Sequence, residues 1–182
     1  MTNPQRILSA LDARLQSDVE LTIYGRAALA LGFENPPSEF ALSRDVDIVL
    51  WSDQAEELAA NSDFWSALEA LNRDLEQDGL YVSHLFTEDQ VTLRPDWRSH
   101  RVPVSGPWTR IDLYRLGDID LLLSKLMRDD PVDRADALFI AERAGLRRQD
   151  VEAALRVARV PPVSEIQDEF TRAAARLLAS LR

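Results

Sequence analysis

Cysteine does not occur in this chain of 182 residues. Disulfides, zinc–thiolate centres and thiol nucleophiles are therefore excluded. Histidine is nearly as scarce, with only His84 and His100. A metal here would be a hard cation held by carboxylates, magnesium or manganese, rather than one held by imidazoles. Positive charge is also in short supply: 21 Lys and Arg against 31 Asp and Glu give a formal charge of −10. That field repels nucleic acid unless basic residues cluster locally. Lysine itself is almost missing. Lys125 is the sole one, and arginine supplies every other cationic side chain. Such a position either needs a compact, rotatable ammonium or has kept it by chance. Long apolar runs are missing too, since no stretch nears the ~18 residues of a membrane-spanning helix. The N-terminal "MTNPQRILSALDARLQS" interrupts its apolar pattern with charges and has no signal-peptide core. The expectation is a cytoplasmic protein without a membrane partner.

What is present is an ordinary globular composition, 46% apolar, sized for one domain or for one domain with a small helical annex. Asn3 with Pro4 suits a helix start, and Ile7, Leu8, Leu11 and Leu15 recur at helical spacing. "VELTIYG" (19–25) reads as a strand and "RAALALG" (26–32) as a short buried helix. "DVDIVLW" (45–51) reads as a central strand, apolar on both faces after Asp47. Ser52 or Asp53 can cap a helix. A second helical stretch from Asp63 places Trp65, Leu68, Leu71 and Leu75 on one face and ends at Gly79. Strands are expected at 80–86, 91–93, 101–104 and 110–116. Thereafter the pattern is helical: from an Asp118 cap, from Asp130-Pro131 to Gly145, over 148–158, and from a Ser164–Gln167 capping box. The expected class is α+β: a mixed sheet flanked by helices in 1–117, followed by a helical region in 118–182.

The segment "SRDVDIVLW" (43–51) poses a chemical question. Asp45 and Asp47 are two apart in a strand, so both carboxylates leave the same face. Like charges so placed repel, and partial burial raises the cost. Solvent must screen them, arginines must pair with them, or a cation must lie between them. Upstream, Gly25 opens a helix of small residues. Glycine allows close approach of backbone amides to an anion, and a helix start favours negative charge. Phosphoryl and nucleotidyl transfer need a phosphate cradle, a charge-neutralising cation and an in-line nucleophile.

"YGRAALALG" followed by "SRDVDIVLW" resembles the nucleotidyltransferase fold of the DNA polymerase β-like superfamily. "DIDLLLSKLMRDDPVDRADALFI" and "VPPVSEIQDEFTRAAARLL" resemble the bacterial nucleotidyltransferase-like families that include abortive-infection toxins of toxin–antitoxin systems, and most closely the DUF6036 proteins. The resemblance implies a nucleoside triphosphate as substrate, magnesium or manganese as cofactor, and an RNA, tRNA or protein acceptor. A cognate partner protein within a defence or toxin–antitoxin operon is also implied. It places the metal on Asp45 and Asp47, with Ser43 and Arg44 as the polar approach. It places phosphate on Gly25, Arg26 and Lys125, and a last-motif carboxylate on Asp136. Arg26 departs from the family's Gly or Ser. The third carboxylate common in the superfamily has no clear counterpart, Asp112 being the best remaining candidate. The other reading is a catalytically degenerate member that binds and regulates.

Other residues carry paired expectations. Asp133 serves the dipole of its helix, and Asp136 either orients Lys125 or the acceptor, or is a structural partner of Lys125 or Arg134. Arg94, Arg98 and Arg101 around Trp97 either form a nucleotide or RNA patch or are stitched to neighbouring acids. His84 is expected in the core or a cleft, and Trp51, Trp65 and Trp108 in packing roles.

Overall fold

The computed structural model describes residues 1–181. They form two compact units, Met1–Thr87 with Arg101–Arg115, and Glu88–His100 with Leu116 onward. The change of character near residue 117 thus falls beside a unit boundary. The segment 88–100, expected in the first part, belongs to the second unit instead.

The first unit is built on five strands: β1 (Val19–Tyr24), β2 (Asp45–Leu50), β3 (Tyr81–Thr87), β4 (Val102–Pro103) and β5 (Ile111–Arg115). Their order is β3-β2-β1-β5-β4. β1 runs antiparallel to β2 and parallel to β5; β2 and β3 are parallel, and β4 and β5 antiparallel. The sheet is therefore mixed. The helices of this unit are α1 (Asn3–Asp12), α2 (Gly25–Gly32), α3 (Ser52–Ala59) and α4 (Ser62–Leu75). One sheet face carries Leu21, Ile23, Val46, Ile48 and Leu113, all buried. Ile7, Leu8, Leu11 and Leu29 from α1 and α2, and Phe64 and Leu71 from α4, are fully buried and complete this core. Burial of side chains this size stabilises by about 1.5–3 kcal/mol each before entropy is subtracted.

The helix starts differ from expectation in instructive ways. α1 is capped by Thr2, not Asn3: Gln5 N donates to Thr2 Oγ1 (3.2 Å) while Thr2 N donates to Gln5 Oε1 (2.8 Å). This reciprocal box satisfies two otherwise orphaned amides. Neither Ser52 nor Asp53 is the N-cap of α3, which begins at Ser52 behind Trp51. α4 starts at Ser62 under an Asn61 cap whose Oδ1 accepts from Phe64 N (3.0 Å). The buried face is that of Phe64, Ala67, Leu68, Leu71 and Leu75, and Trp65 beside it is 42% exposed. Trp65 is held by its indole N–H, which donates to Leu58 O (2.8 Å). Gly79 ends the segment at φ +63°, after one 3-10 turn.

The second unit contains α5 (Asp118–Ser124), α6 (Pro131–Arg143), α7 (Arg148–Val157) and α8 (Ser164–Ser180). Residues 91–93 do not join the sheet; Leu93 forms an isolated bridge with Arg159. α5 starts behind Gly117 rather than an Asp118 cap and stops at Ser124, so Lys125 is its C-cap residue. The expected box at Ser164 is also displaced: Val163 is the N-cap and Ser164 already lies within α8. Asp130 does cap α6, accepting from Asp133 N (2.8 Å). Among the described residues, no helix is long and apolar enough to cross a membrane.

Candidate functional site

Strand pairing sorts the polar residues of the first unit onto the sheet face opposite its core. Tyr24 pairs with Asp47 and Thr22 with Val49, while Glu20 pairs with Asp112 and Thr22 with Tyr114. Paired residues share a face, so Glu20, Thr22, Tyr24, Asp45, Asp47, Asp112 and Tyr114 all project to one side. Asp45 and Asp47 are both partly exposed while Val46 between them is buried. The alternation expected of this stretch is the one the strand adopts.

Asp47 is the pivot of the site. Gly25, the first residue of α2, sits at φ +66°, and a Cβ built on it would lie 2.8 Å from Asp47 Oδ2. Only glycine lets the α2 start come this close at that backbone angle. The other carboxylate oxygen, Oδ1, accepts a hydrogen bond from the Ser83 hydroxyl. A bulge makes this bond: β2 pairs Val46 with Val82 but Ile48 with Leu85, so β3 sets Ser83 and His84 against Asp47 alone. An extra residue re-aims the side chains around it. His84 is exposed, not in the core, and its ring lies 5.5 Å from that of Phe86, which meets Tyr24 edge-on at 5.9 Å. The serine and the ring cluster escaped the sequence reading because a strand pattern carries no sign of a bulge.

Asp45 is held by Ser43, whose hydroxyl donates to Asp45 Oδ1 (3.2 Å). Ser43 is itself buried. The guanidinium carbon of Arg26 lies 5.4 Å from the centroid of the Phe40 ring. Asp112 shares the face but lies at its far end. Glu20, level with Asp112, is four residues from Tyr24, level with Asp47. That is ~13 Å along the strand and two strand spacings of ~4.8 Å across. Asp112 therefore cannot join Asp45 and Asp47 around one ion, and the expected third ligand is not supplied by it.

Lys125 and Asp136 lie in the second unit, apart from these residues in the chain's division. Lys125 is 7% exposed. Its Nζ donates to Asp136 Oδ2 (2.8 Å) and Asp133 Oδ1 (3.1 Å). Arg128 Nε donates to the second oxygen of Asp133 (2.9 Å). Asp136 is thus in direct contact with Lys125, as both of its expected roles toward that residue require. Asp133, expected only to serve the helix dipole, also belongs to this buried network. A compact ammonium fits between two carboxylates where a planar guanidinium fork would not. That explains a lysine at this position in a chain otherwise furnished with arginine. Asp130, at the start of α6, feels burial that pushes its carboxyl up. The Asp133 N–H and the charge of Arg128 outweigh that and hold it below the ordinary value.

The Arg-Trp segment is divided between the two units. Trp97 is buried, and its indole N–H donates to Glu88 (2.9 Å). Arg94 makes a bidentate contact with the fully buried Asp120, through Nη2 (2.7 Å) and Nε (3.3 Å). Arg101 belongs to the other unit. There it contacts Glu20 (2.8 Å) and packs over the rings of Trp51 (5.0 Å) and Tyr114 (4.4 Å). Arg94 and Arg101 are thus each stitched to a neighbouring acid.

Two carboxylates without a third are a fit for magnesium of a particular kind. Magnesium is commonly held by one or two carboxylates plus substrate phosphates, keeping several waters. Among the described residues, no group of three or more acidic or histidine side chains gathers as a self-sufficient cation cage. No family model matches this chain, and no curated protein and no solved structure matches it at a significant level.

Proposed function

We propose that the face formed by Gly25, Asp45 and Asp47 binds a nucleoside triphosphate together with magnesium and transfers its nucleotidyl group to an acceptor hydroxyl. The observation carrying this reading is the contact of the Asp47 carboxylate with the glycine that opens α2. It sets acidic ligands and an anion-favouring helix start side by side. Magnesium, when bound, would neutralise the phosphate charge and polarise the phosphorus under attack. Asp45 and Asp47 would hold it, Ser43 and Ser83 would orient those carboxylates, and the amides after Gly25 would meet phosphate. In the transfer, the acceptor oxygen forms its bond to the α-phosphorus. The bond from that phosphorus to the bridging oxygen breaks, pyrophosphate leaves, and the hydroxyl proton passes to solvent. The acceptor class favoured by the sequence resemblance is RNA, tRNA or a protein, in a toxin–antitoxin or defence setting.

Two observations favour a second reading. Asp112 is too remote to act as a third carboxylate, and the Lys125 ammonium is already held by two acids. On that reading the same face binds the nucleotide–metal complex without turnover and acts through a protein partner. Calorimetry with each nucleoside triphosphate, with and without magnesium, tests the binding step. Magnesium-dependent affinity is expected, lost in the Asp45→Asn, Asp47→Asn double variant. Equal affinity in that variant would remove the assignment. Pyrophosphate release in the presence of total RNA or lysate separates transfer from binding alone.

A further inference from the structure

Asp47 stands between two elements. Its Oδ2 faces the start of α2 at Gly25, and its Oδ1 accepts from Ser83 on β3. On the β3 side a row of rings borders the carboxylate. β2 lies between β1 and β3. Tyr24 of β1 pairs with Asp47, and Phe86 of β3 pairs with Val49. The backbones carrying these two rings are two strand spacings of ~4.8 Å apart. The rings nevertheless meet edge-to-face with centroids 5.9 Å apart, so both lean inward over β2, just past Asp47. Val49, on the same face, is fully buried.

A ring pair alone would be ordinary packing. The bulge in β3 adds a third ring of a different kind. Val82 is buried and Ser83 turns to Asp47, so strict alternation would send His84 back to the core side. The two-for-one pairing opposite Asp47 keeps it on the carboxylate face instead. There the imidazole is exposed, tilted 45° to the Phe86 ring at 5.5 Å. Among the described residues it makes no hydrogen bond or ion pair. The row thus begins half-buried over β2 and ends beside Asp47 in a ring open to solvent. His84 is one strand spacing of ~4.8 Å from Asp47, and Phe86 is two residues, ~6.6 Å, farther along. A ribose bridges an offset of that size.

We propose, resting on the phosphate–metal reading of this face, that the ring row holds the base of the nucleoside triphosphate and favours a purine. The triphosphate meets the start of α2 on one side of Asp47. The base lies on the other side, stacked on His84 and against Phe86. Every base has a π-face, so stacking by itself tolerates any of them. The preference for a purine comes from size, since a bicyclic ring covers more of the row than a pyrimidine does.

Calorimetry with magnesium tripolyphosphate, which has no base, against magnesium ATP and magnesium CTP tests this. ATP should bind about tenfold more tightly than tripolyphosphate, the scale of one stacked base, with CTP between them. His84→Ala and Phe86→Leu, each checked for native circular dichroism, should each lower the ATP-to-tripolyphosphate affinity ratio by about fivefold. His84→Phe keeps a ring and should preserve the ratio. A loss of fold or of the phosphate site moves both ligands together and leaves the ratio alone. A wild-type ratio near one overturns the base assignment while the phosphate–metal reading stands. So does a ratio that His84→Ala and Phe86→Leu both leave unmoved. ATP binding no tighter than CTP overturns the purine preference. If neither tripolyphosphate nor nucleotide binds with magnesium, the phosphate–metal reading falls, and the base assignment with it.

Discussion

At the scale of single residues, Gly25 and Lys125 show how one side chain can be dictated by its neighbours. Gly25→Ala adds a methyl at φ +66° and 2.8 Å from Asp47 Oδ2. The strained backbone alone costs about 1–2 kcal/mol, and the displaced carboxylate should cost magnesium-dependent nucleotide affinity too. Urea denaturation read alongside calorimetry checks both effects. Lys125→Met leaves Asp133 and Asp136 buried and facing each other. Removing one partner of a buried ionic group typically destabilises by about 3–5 kcal/mol. Lys125→Met with Asp136→Leu should recover much of that loss, because the uncompensated charge goes with its partner. A double-mutant cycle by denaturant unfolding measures it, and simple additivity of the two losses would show that the pair is not coupled.

At the scale of elements, the C-terminal end of α1 is latched to the start of β5 by one carboxylate. Asp12 Oδ1 accepts from Thr109 N (2.9 Å), Arg110 N (2.7 Å) and Ile111 N (3.1 Å). Burial pushes this carboxyl up, but the backbone bonds from Arg110, Thr109 and Ile111 and the Thr109 hydroxyl outweigh it, so the group is held below the ordinary value. Its folded pKa being depressed, the stabilisation is present in full above the unfolded value near 3.9 and is lost as pH falls through the folded one. Asp12→Asn should therefore destabilise the protein at pH 7 by about 1–2 kcal/mol. The difference from the wild type should shrink as pH falls through the folded value. Thermal unfolding of both proteins across that range is the measurement. A constant difference would place the effect in packing rather than in the carboxylate.

At the scale of the whole molecule, the charge of −10 acts against any polyanionic ligand. Added salt screens that repulsion. Association of the magnesium–nucleotide complex should therefore speed up as sodium chloride rises from about 20 to 200 mM, the reverse of the trend for basic, nucleic-acid-binding proteins. Stopped-flow mixing at a fixed magnesium concentration checks the sign. A rate that falls with salt would mean that local positive charge dominates the approach.

The periodicities of the chain were enough to place β1, α2, β2 and α6 in sequence, and to put Asp45 and Asp47 on one face. Those are short-range properties: alternation of two, recurrence near 3.6, and the positions of glycine and proline. The capping errors at Asn3, Ser52, Asp118 and Ser164 share one cause. Each is a choice between adjacent residues that the neighbouring turn decides, and composition alone cannot rank them. Only the tertiary structure could set Ser83 against Asp47, since the bulge arises from the pairing of β3 with β2. Only it could place Asp112 out of reach, since that distance follows from strand order and register. Only it could join Lys125 to Asp133 and Asp136, or bring the rings of Tyr24 and Phe86 together across β2. Local pattern fixes which face a side chain takes along its own element. What stands opposite that face is decided by elements far away in the chain, through close packing and the demand that buried polar groups find partners.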